Sequence, residues 1–147
     1  MLSLPPIPSI LSQANILQQL SDCLTDIEKD KISLVFEGLP PNPNAKSKKH
    51  WSENAVATKQ WRYDSKILAL QQRAKVKDAM AFLHYHVSLG DERRHDYDNV
   101  LASFKPVQDG LVDAGVLEDD TITHVIPLVT FDRLKPRGFT LDIYSLD

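Results

Sequence analysis

A single cysteine, Cys23, is all the thiol chemistry this chain of 147 residues holds. One thiol cannot build a disulfide framework or a Cys-based zinc site. Its isolation points to a reducing, intracellular compartment. Long apolar runs are missing too: nothing approaches the roughly 18–20 residues that cross a bilayer. The start, MLSLPPIPSI, has no basic region and carries three prolines, so it does not read as a signal peptide. The expectation is a cytoplasmic protein with no membrane partner. Glycine is sparse at five residues. There is no Gly-rich phosphate loop, no Gly-x-Ser-x-Gly and no His-Glu-x-x-His.

What is present is ordinary globular material. The chain is 42% hydrophobic and 25% charged, and its length fits one domain with a real core. The net charge of −3 hides two opposed segments. Residues 46–77 carry nine basic side chains against Glu53 and Asp64, a net of +7. Residues 106–120 carry Asp109, Asp113, Glu118, Asp119 and Asp120 with no basic residue, a net of −5. Two solvated faces would account for this, and so would a phosphate track leading to a metal-binding pocket.

Periodicity gives the order helix, then β-α-β-α-β-β. Residues 9–30 read as an amphipathic helix outside the main domain. Residues 32–37 are β-branched and aromatic and read as a strand ending at Gly38. The run Leu39 to His50 is a Pro-Asn loop. A long helix over 53–77 carries a stripe of Val56, Tyr63, Ile67, Leu70 and Ala74, with Trp61 and Leu68 beside it. Residues 79–89 alternate, Leu83, Tyr85, Val87 and Leu89 against His84, His86 and Ser88. A helix over 98–114 should be kinked or loosened by Pro106 and ended by Gly115. Two strands follow at 122–130 and 139–144. The expected fold is α/β (α+β): a small mixed sheet of about four strands packed with two main helices, plus an N-terminal helical extension. The domain boundary falls between residues 31 and 32.

The stretch from Arg93 to Asp120 holds the candidate chemistry. Asp96 and Asp98 flank the start of a helix; Asp119 and Asp120 follow its end. Hard cations such as Mg²⁺ take oxygen ligands, and a few carboxylates plus a substrate phosphate suffice. Lys105 lies seven residues after Asp98, on the same helical face to within about 20°. Its ammonium could meet a phosphate there. Each feature also has a plain structural reading. Asp98 as an N-cap would contribute about 1 kcal/mol, Lys105 and Asp109 form an i,i+4 pair, and Asp119-Asp120 is common turn chemistry.

The pattern Asp96-x-Asp98-Asn99, Lys105-Pro106, Asp109-Gly110-Leu111, Ala114-Gly115-Val116 and Asp119-Asp120 resembles the core motif of the RusA-like Holliday junction resolvases. The upstream Gly38-Leu39-Pro40-Pro41-Asn42-Pro43-Asn44 is similar to that family's Pro-Pro-x-x-Asn element. The interval from Asp98 to Lys105 is longer than in the founding member and similar to that of phage and prophage relatives. The resemblance spans about residues 32–144. It implies a homodimeric, Mg²⁺-dependent endonuclease (Mn²⁺ as an alternative) that nicks four-way DNA junctions symmetrically, in DNA recombination and repair. Asp96, Asp98 and Asp120 match its metal-binding aspartates, Lys105 its essential lysine, Asn99 the asparagine after the second aspartate, and Asp119 the neighbouring acid. Lys46, Lys48, Lys49, Lys59, Arg62, Arg93 and Arg94 are then candidates for backbone contacts. Trp51 is a candidate for stacking on a base, whereas Trp61 reads as core. His84 and His86 read as a strand face or a dimer contact more readily than as metal ligands. A non-catalytic DNA-binding or phage structural protein, and a metal-dependent hydrolase of another phosphoester, are the competing expectations.

Overall fold

The computed structural model describes residues 31–43, 51–76, 80–91, 93–132 and 136–146. The chain divides into two units, Met1–Asp30 and Lys31–Asp147. All described residues belong to the second, so the expected helix at 9–30 lies outside them. The elements are β1 (Ile32–Glu37), α1 (Trp51–Gln71), β2 (Met80–Ser88), α2 (Tyr97–Ser103), α3 (Lys105–Asp113), β3 (Val125–Asp132) and β4 (Gly138–Leu146). They form a four-stranded mixed sheet in the order β1-β4-β2-β3. β4 runs antiparallel to both its neighbours, while β2 and β3 are parallel. A parallel pair needs a long crossover, and α2 and α3 supply it.

Alternation along the strands sends one set of side chains into the core. Leu34 and Phe36 of β1 pair in register with Leu141 and Phe139 of β4. These in turn face Tyr85 and Val87 of β2. All are buried, together with Phe104, Val107 and Leu111 from the crossover helices. Burying an aliphatic or aromatic side chain of this size contributes about 1.5–3 kcal/mol. Aromatic rings make the centre: Phe36 stacks on Phe139 at 4.5 Å, Tyr85 on Phe104 at 4.1 Å, and Trp61 leans on both Phe36 and Phe139. Trp61 is thus core, as its place beside the stripe implied. Pro127 interrupts β3 without harm because β3 is an edge strand and its missing N–H costs no ladder bond. On that edge the Val129 amide donates to the Tyr97 hydroxyl at 3.2 Å.

The structure corrects three sequence expectations. α1 ends at Gln71 rather than at residue 77. Its last turn closes with Arg73 N–H donating to Leu70 C=O and Ala74 N–H to Ala69 C=O. Arg73 occupies the left-handed region at φ 52°, and a helix cannot continue through that turn. The buried stripe of α1 is also rotated. Val56, Tyr63 and Leu70 are exposed, while Ser65 and Ala69 are fully buried, with Trp61 and Leu68 packed beside them.

The cause of that rotation is α3. A methyl group on Gly110 would overlap the Arg62 carbonyl oxygen and lie 2.8 Å from Ser65 Cβ. The two helices therefore meet at their smallest residues. Ser65 Oγ donates to the Val107 carbonyl at 2.9 Å across the contact. The loosening expected at Pro106 is a full break: the helix over 98–114 is two segments parted at Phe104 (φ −84°, ψ 0°), with Pro106 in the first turn of the second. Pro106 has no N–H to bond back to Ala102, so the ladder breaks where proline requires it. Gly115, at φ 76°, ends α3 as expected. Finally, β3 starts at Val125 rather than at residue 122, because Thr121–His124 close a turn with the His124 and Val125 amides on the Thr121 carbonyl.

Candidate active site

Lys105 opens α3 and its side chain is 59% exposed. Its ammonium donates to Asp120 and stands 3.0 Å from Asp109 Oδ1. Asp109 is one helical turn on. Asp120 comes from the segment that returns along α3 before β3. The Asp120 amide donates to Asp119 Oδ1 at 2.8 Å, which fixes the turn that presents Asp120. Hydrogen bonding to Asp120, and then to Asp109, raises the Lys105 pKa above the ordinary lysine value. The same ammonium lowers the pKa of Asp120 below the usual carboxylate value. Both groups are therefore charged throughout the neutral range.

Asp96 is the residue just before α2, with φ −83° and ψ 133°, and its side chain makes no capping hydrogen bond. Asp98 lies in the first helical turn. The N-cap reading of Asp98 therefore fails: the cap position is Asp96, and its carboxylate serves no helix N–H. Arg94 Nη2 approaches Asp96 Oδ1 at 3.7 Å. Among the described residues, no three His, Cys, Asp or Glu side chains converge as a metal site. Asp96 and Asp98 stay at the start of α2, while Asp120 stays on Lys105. Carboxylates repel one another, and the ammonium is the counter-charge at Asp120.

The basic candidates divide. Lys46, Lys48, Lys49 and the side chain of Trp51 lie outside the described residues. Lys59 is exposed on α1. Arg62 is engaged: its Nε and Nη2 donate to Asp113 at 2.6 and 2.8 Å, a bidentate contact from α1 to α3. That contact raises the Arg62 pKa and lowers that of Asp113. Arg93 caps its own loop, with its amide and guanidinium on the Asp91 carboxylate, which His95 also contacts at 2.9 Å. His95 and Arg93 hold the Asp91 pKa down at about 2. Asn99 borders a cavity with Asp96.

His84 and His86 do share one face of β2, with ring centroids 3.7 Å apart. Their Nε2 atoms meet Thr130 Oγ1 and Asp142 Oδ2, each at 2.8 Å. Asp142 also accepts from Ser33 Oγ at 2.6 Å. Burial first, then the neighbouring His86, lowers the His84 pKa. These partners make the pair part of the sheet's cross-strand network. Asp142 had no signal in the sequence, since only the β2–β4 register brings it beside the histidines. Asp109 had one, the four-residue interval to Lys105, which reads equally as a surface pair.

Comparison with protein-family models and with curated proteins returns no match for this chain. Among the described residues, no helix is long and apolar enough to cross a membrane.

Proposed function

We propose that this chain is a metal-dependent, structure-specific endodeoxyribonuclease of the RusA-like kind, acting as a homodimer on four-way junctions or related branched DNA in recombination and repair, in the cytoplasm. The observation that carries the reading is the Lys105 ammonium held by Asp109 and Asp120. A cation 59% exposed, aimed by two acids, is built to meet an anion from solvent. Asp96, whose carboxylate makes no capping bond, and Asp98 stand at the start of α2, the segment before the helix that Lys105 opens.

The donor chemistry suits a hard cation. Asp96, Asp98 and Asp120 offer only oxygen, and Mg²⁺ needs just one or two carboxylates beside water and substrate phosphate. When bound, the ion would lower the pKa of an attacking water and screen the phosphate. The residues of the chain do the rest. Lys105 places fixed positive charge where negative charge grows on the phosphoryl oxygens. Asp109 and Asp120 orient it, and Asp119 fixes the turn behind Asp120.

A non-catalytic DNA-binding or phage structural protein is the rival reading. Its support is that Asp120 is engaged by Lys105 and that, among the described residues, no three potential metal ligands converge. A labelled immobile junction, incubated with and without Mg²⁺ beside a linear duplex of the same arms, decides between them. Paired symmetric nicks that require Mg²⁺ and spare the duplex are expected. Tight binding with no nick would establish the rival, and hydrolysis of mononucleotide phosphoesters would point to a different hydrolase.

A further inference from the structure

Three successive positions close the outer edge of β3. Alternate N–H groups of a strand share a side, and those at 125, 127 and 129 stand outside the ladder with β2. The Val125 amide donates to the Thr121 carbonyl at 3.1 Å. Pro127 has no N–H. The Val129 amide donates to the Tyr97 hydroxyl at 3.2 Å. Such closure protects an edge from strand addition. Protection accounts for Val129 having a partner, but not for the place of that partner in the chain. Tyr97 stands between Asp96 and Asp98.

Tyr97 opens α2, a helix of only seven residues. A helix this short is not stable alone and is held by what its faces touch. Val100, one turn on and on the same face as Tyr97, is buried in the core. Tyr97 itself is half-exposed, yet both ends of its side chain are engaged. Its ring meets Phe131 of β3 edge-on, with centroids 6.1 Å apart, and its hydroxyl accepts from Val129. The acids on either side are exposed. The Asp96 carboxylate makes no capping bond. Its contact with Arg94 at 3.7 Å joins two exposed side chains, a pairing of little value. Ahead of Val100, the ring between the acids ties their turn to the sheet.

We propose that Tyr97 is a positioning residue for Asp96 and Asp98: through Phe131 and the Val129 amide it fixes where the turn bearing both acids sits against β3. The proposal rests on the nuclease reading, in which these acids take the metal ion. Groups that restrict the geometry of metal ligands set affinity as well as orientation, and losing one costs about 10–100-fold in affinity or activity. Tyr97 acts through the backbone on either side of it and does not touch the ion. A tyrosine meets both demands of the contact. Its ring packs on Phe131, and its hydroxyl oxygen accepts the edge amide. A phenylalanine would keep the first and lose the second.

The test compares the full chain with Tyr97→Phe and, as the larger removal, Tyr97→Leu. Amide hydrogen exchange is read first, without metal. Exchange at Val129 should quicken in Tyr97→Phe simply because its own bond is lost. Exchange at Val100, whose amide bonds to the Asp96 carbonyl at 3.2 Å, should quicken severalfold as well, while Leu83 and Leu111 keep their rates. Equal Val100 exchange in the two proteins would overturn the proposal and leave Tyr97 an edge cap. Mg²⁺ alone is then titrated against the amide signals of Asp96 and Asp98. The half-saturating concentration should rise about tenfold in Tyr97→Phe, and Tyr97→Leu should repeat each change in larger measure. Junction nicking should fall at limiting Mg²⁺ and return at saturating Mg²⁺, which a general loss of folded protein would not do. Equal half-saturation in wild type and Tyr97→Phe would also overturn the proposal. A wild-type chain with neither Mg²⁺ shifts nor nicking would end the nuclease reading, and Val100 exchange would still decide whether Tyr97 places the turn.

Discussion

α3 carries two contacts between a long basic side chain and aspartate, and they differ in what they serve. At one end Arg62 reaches Asp113 across 51 residues of sequence, both guanidinium nitrogens on one carboxylate. It runs alongside a close helix crossing already fixed by Gly110 and the Ser65–Val107 hydrogen bond. At the other end Lys105 divides its ammonium between Asp109 and Asp120. Both side chains are exposed to a similar degree, 51% for Arg62 and 59% for Lys105. The first contact spends its charge on a planar, geometry-matched partner. The second divides a point charge between two carboxylates, one local and one from beyond the helix. Counting both as surface ion pairs, each of little value to stability, would miss this distinction.

Four substitutions or conditions separate the two ends. Lys105→Met has the largest expected effect. It should lower Mg²⁺-dependent nicking about 100–1,000-fold, the usual loss on removing one charge-stabilising donor. Thermal unfolding should hardly move, which is checked by following both on one preparation. Gly110→Ala reverses that pattern. The new methyl must push α1 and α3 apart, and overpacking of this kind costs about 1–3 kcal/mol, read from urea unfolding. Nicking per folded molecule should survive.

The pH dependence is the third. The folded pKa of Asp120 is depressed, so its contribution is present above the unfolded carboxylate value, about 3.9, and is lost as pH falls through the folded value. The folded pKa of Lys105 is raised, so its contribution is complete below about 10.4 and is lost as pH rises through the folded value. Stability curves of wild type and Lys105→Met should therefore differ by a small, constant amount between about pH 5 and 9 and converge only in acid and alkali. A step in their difference near neutrality would show that another group controls the contact. The smallest effect belongs to Arg62→Ala. It should move the unfolding midpoint less than Gly110→Ala does and leave the nicking rate unchanged.

The sheet was legible because the β-branched and aromatic run 32–37 and the alternation in 79–89 survive folding: Leu83, Tyr85, Val87 and Leu89 are buried as the alternation implies. The pairing of Lys105 with an acid from beyond the helix was less so. Its i,i+4 partner Asp109 is visible in sequence, but Asp120 reaches Lys105 only because residues 114–120 turn back along α3. The α1 stripe misled for a physical reason. Apolar content favours Val56, Tyr63 and Leu70, whereas a close crossing with Gly110 selects small Ser65 and Ala69. Sequence shows the size of a residue but not the distance of its neighbour. The left-handed turn at Arg73 was likewise invisible, since glycine or asparagine is the usual mark of that conformation.

Tyr85 shows the same limit inside the core. Its hydroxyl is fully buried, and Gln108 approaches it without hydrogen-bond geometry. Burial pushes its pKa well above the ordinary tyrosine value. Nothing in the alternation of β2 distinguishes this ring from a phenylalanine.

The strand order also governs how the chain reaches its fold. β4 is the last element in sequence yet lies inside the sheet, between β1 and β2. Ile32 must wait for Ile143, a separation of 143 minus 32, or 111 residues. During vectorial synthesis β1 therefore emerges first and stays without its ladder until the final strand is made. Such long-range closure slows folding and leaves β1 and β2 with unpaired edges in the meantime. The crossover that carries Lys105 and Asp120 is complete before β4 exists, so the β2–β3 half can form early while the sheet closes late.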